Sequence, residues 1–163
     1  MGLGRGPLSL VNQPTAELFG GTFSYCLPIL QASSASSGSL VLGKEAALST
    51  SGLQFTTLAQ NPSNPTFYYV NLMGINVGNT TMTLSNREGT ILDSGTTITY
   101  LADADYMALR DTFRSQIRNM QPTFTEGFDT CYDFSSSSAN VPIITLHFDR
   151  NVDLVLPLLT PKL

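Results

Sequence analysis

The sequence has few charged residues and no basic stretch. Asp, Glu, Lys and Arg make up 12% of its 163 residues, and the formal net charge is −4. Proteins that bind nucleic acid need clustered Lys and Arg to neutralise phosphates, and this sequence has no such cluster. We therefore expect no nucleic-acid partner.

Histidine and cysteine are equally scarce. His147 is the single histidine, and Cys26 and Cys131 are the only cysteines. With one histidine and no Cys-x-x-Cys pair, we expect no metal site and no cofactor. We interpret His147 as a partly exposed spacer on a strand rather than a catalytic base. The two cysteines could be buried free thiols, the interpretation we favour, or could form a Cys26–Cys131 bridge.

Long apolar runs are absent as well. No stretch reaches the roughly 18 apolar residues of a membrane-spanning helix, and residues 1–6 lack the apolar core of a signal peptide. We predict no membrane span and no targeting signal within this chain. The 42% of apolar residues and the chain length suffice for one well-buried core.

The most informative stretch is residues 89–101, Gly-Thr-Ile-Leu-Asp-Ser-Gly-Thr-Thr-Ile-Thr-Tyr-Leu. It places Asp93 between a short apolar strand and a run of hydroxyl side chains. Because Gly95 has no side chain, the backbone can fold against the Asp93 carboxylate and offer N–H donors. Ser94 and Thr96 bring hydroxyls close, and such donors favour the ionised carboxylate. Asp-Ser-Gly alone is also a common surface turn, but a surface turn needs no apolar strand beside it.

The remainder of the chain predicts β-strands joined by polar loops. The expected strands cover residues 40–43, 53–58, 67–77, 90–92, 141–148 and 152–156. Gly78-Asn79 is typical of a tight hairpin turn, and residues 149–151 join the last two strands. The serine-rich residues 31–39 and 135–140 predict exposed loops.

One amphipathic helix is predicted over about Asp103–Met120, with Asp103 or Asp105 as its cap. Its apolar face consists of residues at three- and four-residue steps, namely Tyr106, Leu109, Phe113, Ile117 and Met120. Three arginines lie on another side, namely Arg110, Arg114 and Arg118. We interpret the apolar stripe as core packing and the arginines as a solvated face without a ligand.

The motif at Asp93 resembles the second catalytic motif of the pepsin-type aspartic proteases, and its surroundings resemble their plant, nepenthesin-type branch. Further blocks stand in the order expected of that branch: Gly2–Leu10, Phe23–Leu27, Thr66–Val70, Asp129–Tyr132, and Val141-Pro142 followed by Leu146–Phe148. The resemblance implies a mostly β fold, the C-terminal lobe of such an enzyme, as an incomplete barrel or sandwich with one helix. Residues 1–25 are then a remnant of the N-terminal lobe and the inter-lobe connection. Residues 26–163 are the C-terminal lobe, truncated at its end.

The resemblance also assigns roles around the motif. Asp93 is expected to be one of two catalytic aspartates, and Ser94 to bond across the lobe interface. Thr96 is expected to bond the outer oxygen of Asp93, while Gly95 and Thr97 complete the loop. The family chemistry uses two carboxylates that share a proton across a bound water. Asp93 begins the only Asp-Ser/Thr-Gly of this chain, so the first motif would lie upstream of Met1.

Two functions follow from the resemblance. The first is an aspartic endopeptidase that acts on polypeptides, its second aspartate coming from a missing N-terminal lobe or from a second copy of the chain. By itself this chain is then expected to be inactive. The alternative is a non-catalytic, xylanase-inhibitor-like binding protein, although the intact Asp-Ser-Gly-Thr-Thr favours a protease ancestry.

The resemblance implies a secreted or vacuolar location for the full-length family members. In that setting Cys131 is expected to pair with a cysteine downstream of Leu163. Asn79-Thr80-Thr81 forms a glycosylation sequon at the predicted hairpin tip, usable if the chain enters the secretory route. Leu3-Gly4 resembles a family segment that supports the first catalytic loop, and an ordinary glycine-rich tail is the alternative.

Overall fold

The computed structural model describes residues 2–28, 37–47, 52–85, 89–125, 127–134 and 140–157. Within these ranges it contains eleven β-strands, one α-helix and four short 3-10 helices. The expectation of a mostly β fold with one α-helix is confirmed over this part of the chain, and the described strands form no closed barrel, which is consistent with the expected incomplete barrel or sandwich. The chain forms two compact units, residues 1–55 with 60–68 and residues 56–59 with 69–163.

The first unit contains one antiparallel hairpin. Strand β1, Phe23–Cys26, pairs with β2, Ser39–Leu42, so that Phe23 lies opposite Leu42 and Cys26 opposite Ser39. Its three 3-10 helices are Leu10–Asn12, Pro14–Phe19 and Lys44–Ala47. Pro14 occupies the first position of the second helix, where a missing N–H costs nothing.

The N-terminal segment is held by hydrogen bonds within this unit. Arg5 donates its backbone N–H to the Thr66 carbonyl at 2.8 Å, and the Tyr68 hydroxyl donates to the Leu3 carbonyl at 2.6 Å. A Cβ on Gly4 would lie 2.9 Å from the Thr66 oxygen, so this close approach requires glycine. Leu3 and Gly4 therefore belong to an ordered segment. The support of a catalytic loop stays a prediction, as does the lobe boundary after residue 25.

The second unit contains three sheets. Its elements are β3 (Leu58–Ala59), β4 (Tyr68–Val70, starting in the first unit), β5 (Leu72–Val77), β6 (Thr80–Thr83), β7 (Thr90–Leu92), α1 (Asp103–Gln116), β8 (Thr123–Thr125), β9 (Phe128–Cys131), β10 (Ile144–Phe148) and β11 (Val152–Val155). The strand orders are β11-β10-β5-β6, β3-β4-β7 and β8-β9. The pairings β3–β4, β5–β6, β5–β10, β8–β9 and β10–β11 are antiparallel, as expected for hairpin-rich chains.

The single strand predicted over residues 67–77 is wrong, because Asn71 divides it into β4 and β5 of different sheets. The Asn71 side-chain amide donates to Asp149 Oδ2 at 3.3 Å, and Asp149 N–H donates to the Asn71 carbonyl at 3.2 Å. Asp149 also accepts hydrogen bonds from the Thr56 hydroxyl and, at 3.1 Å, from the Thr57 N–H. One carboxylate thus fixes the strand break beside the β10–β11 turn.

A β-bulge at Met73 brings the core of the second unit together. His147 lies opposite Gly74 and Phe148 opposite Leu72, which leaves Met73 without a partner. In a regular strand Leu72 and Ile75 would point to opposite faces. The bulge places both in one buried cluster with Leu84, against which Leu101, Leu109, Ile144, Leu146 and Phe148 pack.

Other strand predictions need correction at their ends. Residues 53–57 form no strand, and only β3 follows them. The strand predicted from Val141 starts at Ile144, since Pro142 has no N–H to donate to a sheet. The turns predicted at Gly78-Asn79 and at residues 149–151 are confirmed. Residues 31–36 and 135–139 of the predicted loops lie outside the described residues.

Helix α1 ends at Gln116, four residues before the predicted end at Met120. The Gln116 amide donates to the Val77 carbonyl at 2.7 Å, and Ile117, with an extended backbone, is buried. The contact of Gln116 with β5 and the burial of Ile117 thus take the place of the helical turn that was predicted over residues 117–120. The predicted cap is also wrong: Ala102 is the N-cap, and buried Asp105 accepts the Ser85 N–H at 2.8 Å instead.

Two of the three arginines are not the solvated face that the sequence predicted. Arg110 Nη1 donates to Asp129 Oδ2 at 3.0 Å, and Arg114 Nη2 donates to the Asp129 carbonyl at 2.6 Å. The Tyr106 hydroxyl donates to Asp129 Oδ1 at 2.5 Å, and Thr130 to the same oxygen at 2.8 Å. These hydrogen bonds, first those from Tyr106 and Thr130, lower the pKa of Asp129 to about 2. The network joins α1 to β9.

No helix in the described ranges is both long enough and apolar enough to cross a membrane.

Gly78→Ala is expected to destabilise the protein more than Gly127→Ala. Both glycines have a positive φ, 55° and 85°, so an alanine costs about 1–2 kcal/mol at either position. At Gly78 the new Cβ would also lie 2.3 Å from Gln116 Oε1, whereas nothing lies within 4 Å at Gly127. Displacing Gln116 adds roughly 1 kcal/mol for its lost hydrogen bond. Urea unfolding of both variants measures the difference, and equal losses would contradict it.

Asp129→Asn is expected to lower stability near neutral pH and to have little effect at very low pH. An Asp with a folded pKa of about 2 and an unfolded value of about 3.9 stabilises the fold above the unfolded value. This contribution is lost as the pH falls from about 4 through 2. Chemical unfolding between these limits measures it. Asp111→Asn, which removes the more exposed partner of Arg110, is the matched control and should change little.

Candidate active site

Asp93 lies in an exposed loop directly after β7. Strand β7 is the edge of the three-stranded sheet β3-β4-β7, and it delivers the chain to a turn in which Thr96 N–H donates to the Asp93 carbonyl at 3.2 Å. All residues from 91 to 100 are exposed. The sheet therefore fixes where the loop starts, and the loop presents its carboxylate to solvent.

Each oxygen of the Asp93 carboxylate accepts a hydrogen bond from its own loop. Gly95 N–H donates to Oδ1 at 2.9 Å, and the Thr96 hydroxyl donates to Oδ2 at 2.6 Å. The donors that the sequence predicted at Gly95 and Thr96 are thus present. Ser94 and Thr97 lie exposed in the same loop. The catalytic and cross-lobe roles of these residues stay predictions.

Gly95 is needed for its small size rather than for an unusual backbone angle. A Cβ at this position would lie 3.2 Å from Asp93 Oδ1, tighter than an ordinary contact. An alanine would therefore push the carboxylate away from the N–H that it accepts. The position of Gly95 two residues after the aspartate follows from this close approach.

The loop holds Asp93 in its ionised form. The Thr96 hydroxyl, and after it the Gly95 N–H, keep the pKa of the Asp93 carboxyl below its ordinary value. Both donors belong to the loop, and among the described residues no ion pair to Asp93 contributes. The carboxylate is thus oriented by its own loop and its charged form is favoured, and no cation in the described part of the chain pairs with it.

Large apolar side chains lie close to Asp93 along the chain. Ile91, Leu92, Ile98 and Tyr100 are 44%, 52%, 45% and 79% exposed. Exposed apolar side chains in one stretch are typical of an interaction surface. The strand predicted over residues 90–92 is confirmed as β7, but the exposure of its apolar side chains was not predicted. The apolar strand is only three residues long, and this shortness was the feature that could have indicated exposed side chains.

The remaining candidates form no second site. His147 Nδ1 lies 2.7 Å from Asp153 Oδ1 across β10 and β11, which fits the predicted partly exposed strand position. Cys26 and Cys131 are free thiols, and Cys26 is exposed rather than buried. Among the described residues no group of three His, Cys, Asp or Glu side chains could hold a metal ion.

Comparisons with known proteins agree with the geometry. The family model described as "Xylanase inhibitor C-terminal" matches residues 67–158, and the one described as "Xylanase inhibitor N-terminal" matches residues 1–44. The first match covers more than half of the chain. It includes the Asp93 loop, α1 and the four-stranded sheet.

Several curated plant proteins are similar over nearly the whole chain. "Aspartyl protease AED3" of Arabidopsis thaliana is 45% identical over 168 residues, covering 97% of this chain and 36% of that protein. "Aspartyl protease 25" of Oryza sativa subsp. japonica is 38% identical over 169 residues, covering 97% and 38%. "Aspartic proteinase nepenthesin-1" of Nepenthes gracilis is 39% identical over 170 residues, covering 96% and 37%.

This chain therefore spans somewhat more than a third of the length of these relatives. The matched families, the relatives and the hydrogen-bonded aspartate loop agree with one another. The chain belongs to the plant pepsin-like aspartic protease family of the xylanase-inhibitor-like, nepenthesin-like type.

Proposed function

We propose that this chain supplies one carboxylate, Asp93, of a two-aspartate centre that hydrolyses peptide bonds in polypeptide substrates. The observation that carries the proposal is the Asp93 carboxylate itself, oriented by Gly95 and Thr96 and open to solvent. The relatives named as aspartic proteases support the reaction class.

The chemistry requires a second carboxylate. A water between two aspartates loses a proton to one of them while the other donates a proton to the peptide carbonyl. Two carboxylates about 3 Å apart cannot both be ionised, so the pair keeps one shared proton. Asp93 begins the only Asp-Ser/Thr-Gly of this chain, so its partner comes from an N-terminal lobe or from a second copy.

The exposed apolar residues beside Asp93 support assembly with such a partner. A covering lobe would bury Ile91, Leu92 and Ile98, which are 44–52% exposed, and would exclude water from the carboxylate pair. Electrostatic interactions inside a water-excluded site are stronger than in water. Without the partner, Asp93 remains a hydrated carboxylate that activates no water.

We also propose that the protein works in the secreted or vacuolar setting of its family. There Cys131, a free thiol in this structure, would pair with a cysteine downstream of Leu163. The lowered pKa of Asp93 keeps this carboxylate ionised under mildly acidic conditions. This charge state is the one that a shared-proton pair needs from one of its members.

A second candidate function is binding to a glycosidase without proteolysis. It is favoured by the xylanase-inhibitor descriptions of both matched families. In that case the ionised Asp93 has no chemical task, and the two donors to it only stabilise the loop. Xylanase inhibition that survives Asp93→Asn would support this second function.

Thr96→Val is expected to raise the pKa of Asp93 toward its ordinary value. The substitution removes the hydroxyl that contributes most to the lowered pKa while keeping a β-branched side chain of the same shape. A carbon-detected NMR titration of the Asp93 carboxyl measures the shift. Thr97→Val is the matched control, because Thr97 makes no hydrogen bond to Asp93. An unchanged pKa in Thr96→Val would contradict the proposed orientation of the carboxylate.

The purified chain is expected to show no pepstatin-sensitive cleavage of a denatured protein at about pH 3 to 5 while it is monomeric. Adding a lobe that carries the first Asp-Thr-Gly should restore cleavage, and Asp93→Asn should reduce it at least about 100-fold. If a second copy supplies the partner, the rate rises with the square of the chain concentration. Cleavage linear in concentration and lost in Asp93→Asn would show that one chain suffices, against the proposal.

A further inference from the structure

We propose that Asn79 carries an N-linked glycan whose first N-acetylglucosamine packs into a groove at the tip of the β5–β6 hairpin. Asn79-Thr80-Thr81 is the only acceptor sequence in the chain. Asn61-Pro62-Ser63 and Asn64-Pro65-Thr66 have proline in the middle position, which excludes them.

The hairpin presents this asparagine to solvent. Val77 pairs with Thr80, so Gly78 and Asn79 form a two-residue loop, and Asn79 is exposed. Gly78 has φ 55°, as a tight hairpin turn requires at its first position. Gly78 N–H donates to the Ile143 carbonyl at 2.8 Å. This hydrogen bond fixes the loop beside Ile143, so the Asn79 side chain starts at the edge of the surface around Ile143.

The surface beside the hairpin tip forms an open groove of about 920 Å³, and Asn79 is one of the residues that line it. Its apolar part includes Ile143 and Val155, whose side chains are 53% and 56% exposed. Its polar lining residues include Gln116, Arg118, Asn119 and Asn140. The Gln116 amide nitrogen already donates to the Val77 carbonyl.

The chemistry of the groove fits an N-acetylhexosamine. The pyranose ring has an apolar C–H face that can pack on Ile143 and Val155. Its hydroxyl and acetamido groups both donate and accept hydrogen bonds, and side-chain amides do the same. Because the sugar is covalently attached to a lining residue, it reaches the groove at a high effective concentration. A weak pocket is then sufficient to hold it.

The covalent step is an ordinary glycosyl transfer. Nδ2 of Asn79 forms a bond to C1 of the first sugar, and the C1–O bond to a polyprenyl-diphosphate-linked oligosaccharide breaks. The lipid diphosphate leaves with the bonding electrons, and the amide proton passes to a base of the transferring enzyme. The proposal requires the secretory route, and it does not depend on proteolysis.

The test is cell-free translation of the whole chain behind a cleavable leader, in the presence of microsomes. Protease protection identifies the translocated chains, and only these are counted. Wild type and Thr80→Ala, which keeps the acceptor sequence, are expected to gain one glycan that peptide-N-glycosidase removes. Thr81→Ala and Asn79→Gln are expected to gain none. Translocated wild type without a glycan would overturn the proposal.

Packing of the sugar in the groove is tested by measuring the melting temperature. Protein from a secreting host, trimmed to a single N-acetylglucosamine, is expected to melt about 2–4 °C higher than the enzymatically deglycosylated form. Ile143→Ser should abolish this gain. Phe124→Ser, which changes a side chain 77% exposed on the β8–β9 hairpin, should retain it. If the higher melting temperature persists in Ile143→Ser, or if the wild type shows no increase in melting temperature, the sugar does not pack in the groove.

Discussion

The Asp93 carboxylate accepts a hydrogen bond on each of its oxygens, one from the Gly95 N–H and one from the Thr96 hydroxyl. These two bonds orient the group, lower its pKa and leave it free of any paired cation within the described residues. A carboxylate in this state can share a proton with a second one, because no cation among the described residues forms an ion pair with it. The proposed chemistry and its need for a partner rest on this one arrangement.

The carboxylate of Asp129, unlike that of Asp93, binds side chains from another element of the fold. Tyr106, Thr130 and Arg110 surround it, and its pKa of about 2 keeps it charged in acid. The link between α1 and β9 therefore persists at pH values at which a carboxylate of ordinary pKa is already protonated. The hydrogen bonds from Tyr106 and Arg110 to Asp129 come from another element, whereas those to the Asp93 carboxylate come from its own loop.

A third carboxylate, that of Asp149, organises the strands that lead to the loop. It contacts Thr56 and Thr57 just before β3 and Asn71 between β4 and β5. Strands β3 and β4 form one sheet with β7, which carries the chain into Asp93. The position of the candidate site therefore depends on contacts between residues more than 70 positions apart in sequence.

The sequence by itself determined the Asp93 loop, the tight turn at Gly78 and the existence of the helix. The loop's hydrogen bonds join residues two and three positions apart, and local turn chemistry suffices to predict them. Only the tertiary structure decided the break at Asn71, the bulge at Met73 and the pairing of the arginines with Asp129. Each of these depends on partners 15 or more residues away, which no local pattern of hydrophobic or charged residues specifies.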